Sequence, residues 1–367
     1  GATVTGNVLR NGTRGIVVEE TSNVTLANND IAGFTEFGLF LFHATNATVE
    51  TNTIANTTWP FEIDVDERTV RRTLGGKALP FYRHNVTGNT IDGKPLYFVT
   101  NVSHTSVPSN VAVSWLINSR NVSVTNGAGT NLIYTSNATV SGITARGQRT
   151  GVYVRNASNV EIGSVVARNN SVGIKARNVA DVTITDSEAF FNGQGVRVET
   201  ADSLEIADVH AHDNDWGLFI GGANGSVLTA NNASDNGHGL MLQDATNSQV
   251  YDTDLRRNEY GLRTNSSYRG VGSDDNLITG NRIVANDRGI LMQGAERNVV
   301  RGNVIINQTD YGITLTEDAY WTGPDESTRD NLIYNNYIDN PATNSGCPSC
   351  PVENANDYGV NNRWNVS

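Results

Sequence analysis

A glycine recurs at a fixed interval through most of this chain. Gly151, Gly173, Gly195, Gly217, Gly239 and Gly261 fall 22 residues apart. After a six-residue insertion the slot is filled again by Gly289 and then Gly312, and Gly15 and Gly38 occupy it near the start. Three residues before the glycine stands an asparagine, at Asn170, Asn192, Asn214, Asn236, Asn258 and Asn286. Apolar positions keep the same register. Val152/Val154, Ile174/Ala176, Val196/Val198, Leu218/Ile220 and Leu240/Leu242 follow the glycine with the two-residue period of a strand. Further along each repeat come Ile162, Ile184, Ile206, Leu228 and Val250, then Ala167, Ala189, Ala211, Ala233 and Leu255.

A unit this short, with three strand signals and no sustained 3.6-residue periodicity, cannot bury its apolar side alone. Copies above and below can cover it, so the units must stack. The expected fold is all-β, a right-handed parallel β-helix with three short strands per coil of about 22 residues, the hand following from the preference for right-handed parallel crossovers. Stacked asparagines are expected to form amide ladders in the turns. The spacing predicts one domain over residues 1–367. Irregular stretches interrupt it: an insertion at about 60–110 and loops at 265–275, 320–330 and 341–354.

Composition excludes several classes. The net charge of −12, with lysine only at Lys77, Lys94 and Lys175, argues against nucleic acid. No apolar run approaches the ~18 residues of a membrane span. The chain opens at Gly1 directly in strand-like sequence, so it reads as a mature or excised piece. Cys347 and Cys350 lie in Gly-Cys-Pro-Ser-Cys-Pro; with no second pair to complete a zinc site, a local disulfide is the preferred reading and free thiols the next.

The run Val86-Thr87-Gly88-Asn89-Thr90-Ile91-Asp92-Gly93-Lys94-Pro95-Leu96-Tyr97, the Asn-x-x-Gly coils and the closing Asn361-Asn362-Arg363-Trp364-Asn365-Val366-Ser367 carry a family resemblance. They resemble the archaeal surface branch of the NosD-like or CASH-type β-helix family, within the pectin-lyase-like superfamily. The resemblance implies an exported protein, often part of a longer surface polypeptide. The family name points to copper, yet no Met- or Cys-rich cluster stands in this sequence.

Fifteen Asn-x-Ser/Thr sequons occur, at Asn11, Asn23, Asn46, Asn56, Asn85, Asn101, Asn121, Asn137, Asn156, Asn169, Asn224, Asn232, Asn265, Asn307 and Asn365. That exceeds what the composition gives by chance and favours N-linked glycans on some of them. The densest chemistry is His210-Ala211-His212-Asp213-Asn214-Asp215-Trp216. Alternation along a strand puts His210 and His212 on one outer face, where both can reach one metal ion with Asp213 or Asp215 as oxygen donors. Trp216, His238 and Tyr260 fill one slot in three successive coils, and a stacked aromatic stripe beside them can take a sugar. The blander account is that such rings shield the sheet and the histidines are solvated.

Signatures of polysaccharide enzymes are incomplete. Gly237-His238-Gly239 and Gly173-Ile174-Lys175 resemble pieces of galacturonan hydrolases, but both sit in the ordinary repeat slot and in the wrong order. The Asp-Pro-His-Asp signature of epimerases on this fold does not occur. No cofactor is expected beyond calcium, for which Gly272-Ser273-Asp274-Asp275-Asn276 or Asp325-Glu326 offers oxygen donors. The leading expectation is an extracellular structural glycoprotein, a subunit of an archaeal surface layer, sheath or filament. Its partners would be copies of itself, other surface proteins and N-linked glycans. The alternative is a carbohydrate-binding or polysaccharide-modifying protein working through the His210–Tyr260 face.

Overall fold

The computed structural model describes residues 1–66, 78–266, 272–316, 328–339, 355–357 and 363–365. The chain divides into two compact units, Gly1–Val160 and Glu161–Ser367. Each is a parallel β-helix, and the described residues contain no helix beyond one 3-10 turn at Leu79–Tyr82. None is long and apolar enough to cross a membrane.

In the C-terminal unit the register is the one the repeat predicts. Ile174 pairs with Val196, Val196 with Leu218, Leu218 with Leu240 and Leu240 with Leu262, all parallel. Ile184, Ile206, Leu228 and Val250 form a second inward row, and Ala167, Ala189, Ala211, Ala233 and Leu255 a third; all are essentially inaccessible to solvent. Between the third and first rows the chain turns at the asparagine. The Asn192 backbone N–H and side-chain amide both donate to Asn214 Oδ1, at 2.9 and 3.1 Å. The same pair of bonds links Asn170 to Asn192, Asn214 to Asn236, Asn236 to Asn258 and Asn258 to Asn286. Each amide also donates down to a backbone carbonyl, as Asn214 Nδ2 does to Ala189 O at 2.9 Å. Every polar atom withdrawn into this turn is therefore paired, which a buried amide requires. The recurring glycine has a steric cause: a Cβ on Gly217 would meet Gly239 O at 2.7 Å and Asn236 Nδ2 at 2.9 Å.

The N-terminal unit uses the same bond with less regular spacing. Its ladder runs Asn7, Asn29, Asn52, Asn89 and is buried from Asn29 on. Leu39 pairs with Phe61 and Leu41 with Ile63, so Trp59–Asp64 is a coil strand and not the start of an insertion. Val49 pairs with Val86, and Leu96 with Val113. The expected insertion at 60–110 is thus largely coil, and its residues 67–77 lie outside the described residues. From Leu96 onward the coils contract: Leu96 pairs with Val113, Ser114 with Thr130 and Thr130 with Val152, intervals of 17, 16 and 22 residues. Phe61 and Trp115 fill the interior edge to face at 6.0 Å, and a buried Arg155 donates to the Tyr82 hydroxyl at 2.7 Å. Of the expected loops, 341–354 falls outside the described residues, with Cys347 and Cys350, and the others are described only in part.

Candidate functional site

Two outward faces of the C-terminal unit meet at the turn Asp213–Asn214–Asp215. The first is the outer side of the third row. Because Val209 and Ala211 point inward, His210 and His212 point out. The register sets Glu188 beside His210 and Phe190 beside His212 in the preceding coil, with Asn232 and Ser234 in the following one. Glu188, His210 and His212 offer ligand atoms all within 4.8 Å of one another. His212 Nε2 lies 3.2 Å from Glu188 Oε1, and its Nδ1 lies 2.7 Å from Asp213 Oδ2. Its ring stacks on Phe190 with centroids 5.0 Å apart and planes 3° from parallel. Burial, with His212 alongside, holds the His210 imidazole below its usual pKa. Of the expected donors, Asp213 is thus engaged, while Asp215 is exposed and turns its carbonyl to the His238 N–H. Glu188, missed in the sequence, is the third member of the cluster.

The second face belongs to the first row. Trp216, His238 and Tyr260 stack as expected, at 4.5 and 4.7 Å between centroids, and the Arg288 guanidinium covers Tyr260 at 5.0 Å. The rings therefore use much of their faces on one another and present edges outward, where the quadrupole is positive. Next to them runs a row of Lys175, Arg197, Phe219, Met241 and Arg263, in register coil by coil. Phe219 and Met241 point outward yet are only 6 % and 2 % exposed. Arg197 lies 4.8 Å over the Phe219 ring and Arg263 5.3 Å over Tyr260. At the end of this face Glu199 meets Lys175, Arg177 and Arg197; burial would push its carboxyl up, but the three cations outweigh it and hold it below the usual range. Burial beside Arg263 lowers His238 to about 4, so its ring is uncharged at neutral pH. His238 Nδ1, Asn265 Oδ1 and Thr314 Oγ1 are withdrawn from solvent without a hydrogen-bond partner.

The other expected sites fall elsewhere. Asp274 and Asp275 both face Arg297, at 3.5 and 2.9 Å, and Asp274 also accepts the Glu296 N–H at 2.8 Å. Both carboxylates are thus paired with one arginine. Asp325 and Glu326 lie outside the described residues. Ten of the fifteen sequon asparagines have positive φ: Asn11, Asn23, Asn46, Asn56, Asn101, Asn121, Asn137, Asn156, Asn169 and Asn307. Asparagine tolerates that conformation, so turn geometry gives the sequon excess a second cause. The side chain of Asn365 lies outside the described residues.

A solenoid of parallel coils with polar and aromatic outward rows on an apolar interior defines a right-handed β-helix protein. Residues 83–271 match the family described as "Periplasmic copper-binding protein (NosD)", and residues 1–114 and 217–362 match "Right handed beta helix region". The chain belongs to this NosD-type right-handed β-helix family. Among solved structures it is similar to the A-modules of two mannuronan C-5 epimerases of Azotobacter vinelandii, AlgE4 and AlgE6. Each is 14 % identical with a TM-score of 0.50. The alignments cover 96 % and 95 % of this chain and 91 % of each module. At that identity the likeness shows the fold alone. No curated protein matches the sequence.

Copper gives a test of the donors present. Cuprous ion prefers thiolate and thioether ligands. Met241 and Met292, the only methionines, are 2 % and 0 % exposed on different rows, so no outward sulfur cluster exists among the described residues. The donors suited to a divalent ion are His210, His212 and Glu188.

Proposed function

We propose that the C-terminal unit binds an acidic polysaccharide along its ring-and-arginine face, in an extracellular or periplasmic setting. Charge carries this reading. The whole chain has a net charge of −12, yet this one face carries Lys175, Arg177 and Arg197 at Glu199 and, further along, Arg263 and Arg288 at Tyr260, with Asp310 and Glu259 beside Arg288. A cationic strip on an acidic protein selects anionic partners and repels little of its own ligand. The electropositive ring edges of Trp216, His238 and Tyr260 add to it, and the unpartnered polar atoms beside them favour a face completed by a hydrogen-bonding ligand. The epimerase modules of like fold act, by their names, on mannuronan, an acidic chain, and the NosD family is described as periplasmic. Glu199 is tied to three cations, which favours binding over acid–base chemistry at this face. The self-assembling surface subunit rested on the rigid solenoid, the incomplete catalytic signatures, the strand-like sequence at Gly1 and the sequon excess, and for the last of these turn geometry offers a second cause.

Binding of a polyuronate and of a neutral glucan, measured by calorimetry at low and high salt, tests the reading. The polyuronate should bind, weaken as salt rises, and lose at least tenfold in affinity in an Arg197→Ala, Arg263→Ala double variant. Equal binding of the neutral glucan, or no polyuronate binding at low salt, would overturn it.

A further inference from the structure

We infer that Glu188, His210 and His212 form a binding site for a divalent transition ion of the zinc class, on the face adjoining the proposed glycan surface and independent of it. The argument starts at His212. Its Nδ1 lies 2.7 Å from the Asp213 carboxylate, the contact that orients an imidazole to ligate a metal through its other nitrogen. Nε2, the nitrogen left to ligate, lies 3.2 Å from a second carboxylate oxygen, Glu188 Oε1. Two carboxylates flank one imidazole, an arrangement that calls for positive charge, and a metal ion at Nε2 supplies it. Ligand atoms around a tetrahedral ion lie about 3.4 Å apart when each bond is about 2.1 Å, so this pair already has the spacing of one coordination edge.

His210 supplies the third donor. All three ligand atoms lie within 4.8 Å of one another, and side-chain rotation on the order of 1 Å closes the remainder. The ring centroids of His210 and His212 are 4.4 Å apart, and the stack on Phe190 holds the second ring in place. Asp213 completes a carboxylate–histidine–metal arrangement, the outer partner that orients a ligating imidazole. In the next coil Asn232, the register partner of His210, has a side-chain oxygen with no hydrogen-bond partner, so a further oxygen donor stands beside the cluster. Two imidazoles and one carboxylate suit zinc, nickel or copper(II) and disfavour calcium and magnesium, which take oxygen ligands. Three protein ligands leave a coordination position for water or for an anionic group.

The site follows from the fold. His210 and His212 alternate around the inward Ala211, and the coil stack brings Glu188 from 22 residues upstream.

The test is titration of the untagged, chelator-treated chain with zinc by calorimetry and with cobalt(II) by visible absorption. One zinc per chain should bind at micromolar affinity or tighter, and cobalt should give the d–d bands of a low-symmetry site. His210→Asn and Glu188→Gln should each weaken zinc at least tenfold with an unchanged circular dichroism spectrum. Asp213→Asn, which keeps all three ligands, should weaken it by about tenfold through the lost orienting contact. Copper(II) should compete with zinc for the same stoichiometric site. Binding unchanged in His210→Asn, no zinc binding at all, or calcium preferred over zinc would overturn the inference.

Discussion

The asparagine ladders of the two units are built from one bond but sit at different turns, Asn192 to Asn286 between the third and first inward rows and Asn29 to Asn89 between the second and third, and they differ in what lies between the rungs. In the C-terminal unit the rungs are 22 residues apart until the step from Asn258 to Asn286, which takes 28. In the N-terminal unit the steps are 22, 23 and then 37 residues, from Asn52 to Asn89. The amide bond stays the same: 2.9 Å from Asn52 to Asn89 and 3.0 Å from Asn258 to Asn286. The turn, not coil length, therefore holds the register, and extra residues leave from other corners. Where the coils shorten to 16–17 residues, around Leu96–Ile133, the buried ladder stops, and exposed asparagine contacts such as Asn118 to Asn101 and Asn137 to Asn121 take its place.

That comparison breaks most directly at a buried rung. Asn236→Ala strands the Asn214 backbone N–H, one Asn214 amide proton and the Ala211 carbonyl, all in a closed interior. Asn52→Ala strands the same set at Asn29 and Leu26. Each orphaned group costs ~1–3 kcal/mol, so both variants should lose about 3–5 kcal/mol in urea unfolding. Equal losses would show that the two ladders do the same work. A small loss in the N-terminal unit alone would mean that its irregular coils rely on something else.

Much of the C-terminal unit was legible because one interval governs it. The inward rows, the glycine slot and the ladder all follow from counting 22, and the same count from His210 leads to Glu188, the signal that would have found it. Stacking of Trp216 on His238 was also legible. That the rings would cover one another's faces was not, because ring orientation depends on side-chain packing and not on period. The N-terminal unit hid its contracted coils and its buried Arg155, since a chain that changes coil length has no fixed period to count.

A titration sharpens the comparison further. At a second turn the C-terminal unit pairs backbone N–H groups with neutral side chains: Ser226 N–H donates to Ser248 and Ser248 N–H to Asn276. In the N-terminal unit the Ala47 N–H instead donates to His84 Nδ1 at 3.1 Å, and His84 Nε2–H donates to Phe81 O at 2.8 Å. Burial lowers the His84 pKa from 6.5 to about 4, with the Phe81 bond opposing the shift. The unfolded chain thus takes the proton first on acidification. His84 contributes its full stability above pH ~6.5, and this is lost as pH falls from there to about 4, to a total of up to ~3 kcal/mol. His84→Asn keeps an acceptor and removes the titration. The loss of urea midpoint between pH 7.5 and 4.5 should shrink in that variant, leaving the share of His238; an unchanged loss would refute the assignment.

The smallest effect separates conformation from modification at an exposed rung. Asn137 has φ of 52°, accepts a side-chain bond from Asn159 at 2.8 Å and donates one to Asn121 at 3.1 Å. Both bonds are exposed, so they contribute little, and the left-handed backbone is what the asparagine chiefly supplies. Asn137→Ala should cost about 1 kcal/mol, the penalty of a Cβ in that region, whereas Asn137→Gly should restore most of it. Both variants also abolish the sequon, so any glycan would be lost from both alike. A difference between alanine and glycine in unglycosylated protein would place this asparagine's role in the turn. Equal losses would return the sequon to a role in modification, and with it the case for a decorated surface protein.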